Sequence, residues 1–97
     1  MKYEIAKKLV SKFINNRFNS NDELVIDNEA VIETDFGWVF PHDSKKFLES
    51  GELIYASVGN APIIFDNRDE TIHITGTAHD VDYYIIRHKE NYTPQNI

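Results

Sequence analysis

The chain contains no cysteine, only three prolines and four glycines, and no long run of apolar residues. The lack of cysteine excludes a disulfide framework and a thiolate zinc site. A membrane-spanning helix needs about 18 consecutive apolar residues, which the chain does not have. Its amphipathic N-terminus also lacks the apolar segment of a secretory signal. We therefore expect a cytoplasmic protein with no membrane partner.

Basic residues are the minority and are unevenly placed. Residues 1–19 carry five bases against one acid, whereas residues 20–82 carry fourteen acids against three bases. An acidic central body repels a phosphate backbone, which argues against direct nucleic-acid binding. It would suit a basic protein partner, and a merely solubilising surface is the alternative explanation.

The length of 97 residues, with 41% hydrophobic and 27% charged residues, predicts one soluble globular domain over 1–97. A chain of this size buries roughly 60–65% of its unfolded surface. It can therefore make one modest core, with little room for an internal active-site cleft.

Apolar spacing predicts a helix near each end of the chain. Over residues 3–18 the apolar side chains recur at i, i+4 and i+8: Ile5, Ala6, Leu9, Val10, Phe13 and Ile14. Thr77 followed by Asp80 resembles a capping box and introduces a C-terminal helix at about 79–91, after which a tail at 92–97 should fray. A short helix is predicted over 44–50, with Asp43 or Ser44 as N-cap and Gly51 as its stop.

The region 24–76 between the helices reads as antiparallel strands. The runs 24–26 and 29–33 could be continuous through a bulge, and 38–40 returns after a tight connection at 35–37 and closes at Pro41. Phe36, Trp38 and Phe40 should then share one face, which favours a buried Trp38. Residues 52–58 are ambiguous, with an edge strand as one interpretation, and 62–66 and 71–75 form a hairpin. The prediction is an α+β fold of two layers: an antiparallel sheet of about four strands packed against an N-terminal and a C-terminal helix, with a short inserted helix.

No side-chain pattern in the chain is typical of catalysis. The spacing of His42, His73, His79 and His88 matches no metal motif, and His73 should point to solvent. The adjacent residues His42-Asp43-Ser44 make no triad, because triad members converge from different segments. Glu33 and Asp35 could form an acid–base pair, a cation site, a solvated edge, or an acidic rim around Trp38 as an interface anchor. We expect no catalytic, metal or cofactor site.

An ordered series of segments carries a family resemblance. The segments are Ile32-Glu33-Thr34-Asp35-Phe36-Gly37-Trp38-Val39-Phe40, then 46–51, then Gly59-Asn60-Ala61-Pro62-Ile63-Ile64-Phe65-Asp66, then 72–77. In order and spacing they resemble the immunity protein 35 family, which includes YrhB-like small proteins. The residues that match the family pattern or shape its motifs are Phe36, Gly37, Trp38, Phe40, Gly59, Asn60 and Pro62.

The resemblance implies a bacterial domain that binds and neutralises a cognate toxin of a polymorphic-toxin system, with no catalytic set. We expect it to occlude the active site or substrate groove of the toxin, and a basic toxin such as a nuclease would fit the acidic body. A YrhB-like holdase for unfolded clients and a small hydrolase using Glu33, Asp35 and a histidine are the alternatives. The oligomeric state stays open. The candidate contact residues are acidic: Glu33, Asp35, Asp43, Glu49, Glu52, Asp69 and Glu70.

Overall fold

The structure is a computed structural model, and it describes residues 1–17, 23–55 and 60–92. Nine helices and strands occur in this part of the chain. In chain order they are α1 (Tyr3–Arg17), β1 (Leu24–Ile26), β2 (Ile32–Glu33), β3 (Gly37–Phe40), β4 (His42–Ser44), α2 (Lys45–Ser50), β5 (Ile63–Asp66), β6 (Thr71–Ile74) and α3 (Val81–Glu90). Short 3₁₀ turns lie at Asn28–Ala30 and Leu53–Tyr55. The α+β fold, the helix at each end and the short inserted helix are confirmed.

The strands form one four-stranded antiparallel sheet, in the order β2-β3-β5-β6, and a two-stranded sheet of β1 and β4. Only Pro41 separates β3 from β4, and its carbonyl accepts a hydrogen bond from the Asp27 amide at 2.9 Å. The segment from β1 to β2 therefore runs along one side of β3 and β4, with a 3₁₀ turn between the two strands. The predicted strand at 29–33 was wrong for residues 29–31, and β1 and β2 are not one continuous strand, because the turn separates them and they pair in different sheets. The extended segment at 42–44 was not predicted.

Helices cover both faces of the four-stranded sheet, so the molecule has three layers and the expectation of two layers was wrong. Strand β5 is buried along its whole length. On one face Ile63 and Phe65 pack against Val10 and its neighbours on α1. On the other face Ile64 packs with residues of β3 and α3. The consecutive apolar residues of β5 need cover on both sides, because alternate strand side chains point to opposite faces.

Phe36 does not share a face with Trp38 and Phe40, contrary to the alternation argument. It packs instead with Val39 on the α3 face. The cause is Gly37, where φ is +155° and an added Cβ would lie 2.0 Å from the Phe65 carbonyl oxygen. This close approach of two backbones is possible only for glycine, and it breaks the alternation at the first residue of the strand.

The helix ends agree with the sequence signals in one case and not in the other. Ser44 caps α2, since its Oγ accepts a hydrogen bond from the Phe47 amide at 3.1 Å, and Gly51 ends it with φ +74°. The capping box at Thr77 was wrong: α3 begins at Val81 with Asp80 at the N-cap position and no side-chain cap bond. Residues 75–80 connect the end of β6 to the face of the sheet that α3 covers, so the helix begins only at Val81.

Three other expectations concern segment ends. The predicted residue 18 of α1 and the family residue Gly59 lie outside the described residues, as do 56–58 and 93–97. Of the ambiguous segment 52–58, the described part contains a 3₁₀ turn and no strand. At the predicted tail, Tyr92 is half-buried, and the Arg68 guanidinium lies 3.6 Å from the centroid of its ring.

In the described part of the chain, every helix is too short or too polar to cross a membrane.

Candidate partner-binding site

One end of the four-stranded sheet brings two polar connections side by side. The pairing of Gly37 with Asp66 places the β2–β3 connection, 34–36, next to the β5–β6 loop, 67–70. The Thr34 amide donates to the Gly37 carbonyl at 2.9 Å, and the Asn67 amide donates to the Phe36 carbonyl at 2.7 Å. We call these two connections, with the side chains around them, the hairpin end.

Four of the seven acidic candidates lie at the hairpin end: Glu33, Asp35, Asp69 and Glu70. A cleft of about 270 Å³ opens there between the two connections, and both Glu33 and Asp35 line it. Glu33 is exposed, and Asp35 is exposed but pairs with the Lys89 ammonium of α3. The hydrogen bond from Lys89 lowers the pKa of the Asp35 carboxyl below its usual value. The two residues therefore reach the same cleft, with only one of them held by a cation.

Trp38 lines the same cleft and anchors the core behind it. Its ring is half-buried and meets the Tyr3 ring edge-on, with centroids 5.6 Å apart. On the core side it packs against Phe40 and Phe65, at 6.5 Å and 6.2 Å. An aromatic residue with one side in the core and one side towards an acidic rim has the form of an interface anchor. The choice between a buried and an exposed Trp38 is thus resolved as partial burial.

A buried ion pair that the sequence did not predict supports the hairpin end from below. Asp66 has no solvent-exposed surface. Arg68 donates to both of its carboxylate oxygens, from Nε at 3.0 Å and from Nη2 at 2.7 Å, and its amide adds a third bond at 2.9 Å. His88 Nε2 on α3 lies 2.7 Å from Asp66 Oδ2. Although burial alone would raise it, the bonds from Arg68 and His88 lower the pKa of Asp66 to about 2. The group ties the loop, the sheet and α3 together.

A second polar group lies beside the first, on β6. The Thr71 hydroxyl donates to Asp69 Oδ1 at 2.6 Å and lies 2.6 Å from His73 Nε2. Since the hydroxyl has one hydrogen, His73 must donate to it from Nε2. The rings of His73 and His88 are 4.6 Å apart. The expectation that His73 points to solvent was wrong, because α3 covers that face; burial, and then the neighbouring His88, lower its pKa.

The remaining three candidates lie at the opposite end of the sheet. Both carboxylate oxygens of Asp43 accept internal bonds, from the Ser44 amide at 2.7 Å and from Asn60 Nδ2 at 3.0 Å. Glu49 lies 3.9 Å from the Lys45 ammonium and lines a second open groove, of about 540 Å³, between α2 and the 3₁₀ turn after β1. Glu52 is exposed. The seven candidates thus form two groups rather than one surface, and Asp43 is engaged inside the fold.

The described family-motif residues mainly build structure. Asn60 Nδ2 also donates to the His42 carbonyl at 2.7 Å, which ties the segment before β5 to β4. The Pro62 carbonyl accepts from the Thr75 amide and hydroxyl, at 3.2 Å and 2.6 Å, and so extends the β5–β6 ladder at the end away from its loop. Phe40 is fully buried in the core. The contacts of Asn60 and Phe40 account for these residue types without a role in binding.

The contacts give little support to the catalytic alternatives. His42 is buried and its pKa is lowered by that burial, while Ser44 caps α2. Glu33 and Asp35 lie at a solvent-exposed rim, and the structure gives neither a hydrogen bond to a histidine. Within the ranges 1–17, 23–55 and 60–92, no group of three acidic or histidine side chains could hold a metal ion.

Comparison with known proteins provides evidence independent of the geometry. The family model described as Immunity protein 35 matches residues 4–84. A curated relative, "Uncharacterized protein YrhB" of Escherichia coli (strain K12), is 39% identical over 49 residues, which cover 50% of this chain and 52% of the relative. The match therefore spans about half the length of that relative. No solved structure matches at a significant level.

Proposed function

The chain belongs to the immunity protein 35 family, and on this premise we propose that it binds a cognate toxin of a polymorphic-toxin system and neutralises it by occlusion. The family match over most of the chain is the observation that carries the proposal. The partner is a basic toxin, such as a nuclease, and the domain covers its active site or substrate groove. No chemistry on the part of the immunity protein is required.

We place the toxin contact at the hairpin end. Glu33, Asp69 and Glu70 are acidic there. Of the cations beside them, Arg68 and Lys89 are each paired with a carboxylate, and the Met1 ammonium donates to Asn67 Oδ1 at 2.8 Å. The surface therefore presents net negative charge around the exposed side of Trp38. Such complementarity accelerates encounter with a basic partner, towards about 10⁸ M⁻¹s⁻¹ at low salt. A standard interface needs roughly 800 Å² from each partner, about an eighth of the 6527 Å² surface of this molecule.

The first test is co-purification with the protein encoded beside it, followed by rescue of cells that express that protein. The second test separates the two ends of the sheet. The double variant Glu33→Lys/Glu70→Lys should reduce the association rate at least tenfold at low salt, with less effect at high salt. The matched control is Glu49→Lys/Glu52→Lys, which makes the same charge change at the opposite end.

Two results would contradict this proposal. Failure to bind any toxin encoded nearby or in related strains would remove the function itself. Equal losses from the two double variants would leave the function standing but would remove the hairpin end as its site.

The alternative is a YrhB-like holdase, and one observation favours it. Leu53 and Ile54 are 81% and 84% exposed, which is unusual for large apolar side chains. A holdase should slow thermal aggregation of unrelated model clients, and Leu53→Ser/Ile54→Ser should weaken that effect. Unchanged client aggregation in the presence of the wild-type protein would eliminate this alternative.

A further inference from the structure

In the part of the chain that the structure describes, β6 is the last strand of its sheet, and no strand lies beside its outer edge. The Thr75 amide bonds to Pro62, and His73 pairs with Ile64, so odd-numbered residues point their main-chain groups towards β5. By alternation, the amides and carbonyls of Ile72 and Ile74 point outward. The strand Thr-Ile-His-Ile contains none of the lysines or prolines that usually protect an edge.

Apolar side chains flank this edge on the α1 side of the sheet. Ile72 packs against the core beneath α1, and Ile74, two residues later, lies on the same face and is 41% exposed. On α1, Ile5 and Leu9 are 49% and 40% exposed although they belong to an apolar stripe. They precede the buried residues Ala6 and Val10, and so lie on one flank of the helix.

The orientation of α1 turns that flank towards β6. Asn15 follows the buried Ile14 and so lies on the opposite flank, where its amide group exchanges hydrogen bonds of 2.8 Å and 2.9 Å with the Leu24 main chain of β1. Strand β1 pairs with β4, which follows β3 after Pro41, and it leads into β2, the edge strand of the four-stranded sheet opposite to β6. The flank of Ile5 and Leu9 is therefore turned towards the β6 side of the sheet, and we call the surface between this flank and the β6 edge the groove.

Charge specifies what this groove would accept. Lys12 is exposed and lies three residues after Leu9 and seven after Ile5, so it is a surface neighbour of both apolar residues. A second copy of the chain would bring its own lysine against this one. An extended segment with acidic side chains would be attracted by it, and its main chain would complete the ladder at Ile72 and Ile74.

We propose that the groove between the β6 edge and the Ile5–Leu9 flank of α1 binds, by strand addition, an extended segment of a partner protein that alternates apolar and acidic residues. The main-chain bonds give the segment its direction and register, and the apolar residues cover Ile74, Ile5 and Leu9. This surface is separate from the hairpin end and has the opposite charge preference. The proposal does not rest on the toxin being basic or on the hairpin end being its site.

The test uses three synthetic seven-residue peptides with the full chain. The first alternates glutamate with valine, the second has lysine in place of glutamate, and the third repeats the first with alternate main-chain nitrogens methylated. Titration by isothermal calorimetry and by amide chemical shifts should show saturable binding of the first peptide only. The shifts should centre on residues 72–74 and on the Ile5–Leu9 flank.

Variants locate the binding on the chain. Ile74→Glu and Leu9→Ser should each weaken binding of the first peptide at least tenfold, and Lys12→Glu should reduce the preference for the first peptide over the lysine peptide. The matched control is Ile86→Glu, at an apolar residue of α3 that is 55% exposed. Thermal unfolding by circular dichroism confirms that each variant is folded.

Several outcomes would overturn the proposal. Equal binding of the methylated peptide would exclude strand addition, and shifts confined to another surface would exclude the groove. A concentration-dependent dimer that Ile74→Glu abolishes, without peptide binding, would show that the occupant is a second copy. No saturable binding of the first peptide would likewise refute it.

Discussion

The ion pair beneath the hairpin end predicts a specific dependence of stability on pH. Asp66 is buried, accepts bonds from Arg68 and His88, and has a pKa of about 2 instead of its ordinary value of 3.8. A lowered pKa of a carboxyl group stabilises the fold at pH values above 3.8, and this contribution is lost as the pH falls from 3.8 towards 2. A shift of nearly two units corresponds to about 2 kcal/mol at pH 7.

The substitution Asp66→Asn keeps the shape of the side chain and removes its charge. At pH 7 we expect the free energy of unfolding to fall by about 2 kcal/mol, which for a domain of this size lowers Tm by roughly 8–16 °C. The difference from the wild type should shrink as the pH approaches 2, because the wild-type carboxyl is then protonated as well.

Urea unfolding followed by fluorescence measures this effect, since Trp38 is the only tryptophan. Its half-buried ring packs beside Phe65, one residue from Asp66, and should report the same transition. Glu29→Gln, which removes one charge at an exposed position, is the control and should change stability by less than about 0.5 kcal/mol. A loss for Asp66→Asn that stays constant from pH 7 to pH 3 would refute the electrostatic reasoning.

Three further predictions follow from single contacts. Gly37→Ala should destabilise the fold by more than about 3 kcal/mol in urea unfolding, because its Cβ would overlap the Phe65 carbonyl oxygen; a loss below 1 kcal/mol would contradict the close approach. Trp38→Ala should lower the free energy of unfolding by about 2–3 kcal/mol, less than the loss of a fully buried ring, and should also weaken toxin binding. A loss of stability alone, or of binding alone, would argue against a side chain shared between the core and the interface. Burial lowers the pKa of His73 below 6.5, so the folded state favours the neutral imidazole, and the contribution of His73 to the free energy of unfolding is lost as the pH falls below 6.5. His73→Gln should therefore reduce the loss of stability measured between pH 7 and pH 5. The same dependence of stability on pH in the variant and the wild type would contradict this.

Much of the fold could be predicted because its helices, helix ends and hairpin are determined by local sequence patterns. The stripe on α1, the cap at Ser44, the stop at Gly51 and the hairpin of β5 and β6 depend on residues near each other in sequence. Their hydrogen bonds are local, so the signals survive without knowledge of the rest of the molecule.

The candidate site was predicted only in part. Glu33, Asp35 and Trp38 were expected together and do line one cleft. Asp43 and Glu49 were grouped with them on charge alone and lie at the other end of the sheet. A charged side chain is expected at the surface, but its charge does not indicate on which part of the surface it lies.

The sequence by itself determined the family, the α+β composition and the helix–strand order, since these follow from spacing, turn residues and ordered motifs. Only the tertiary structure decided which faces are covered. It placed α3 over His73, turned Phe36 away from Trp38 at Gly37, and buried Asp66 between Arg68 and His88. The physical reason is that these arrangements join distant residues, 22 positions apart for Asp66 and His88 and 28 for Gly37 and Phe65. Burial, ion pairing and close backbone approach depend on which distant segment lies beside a residue.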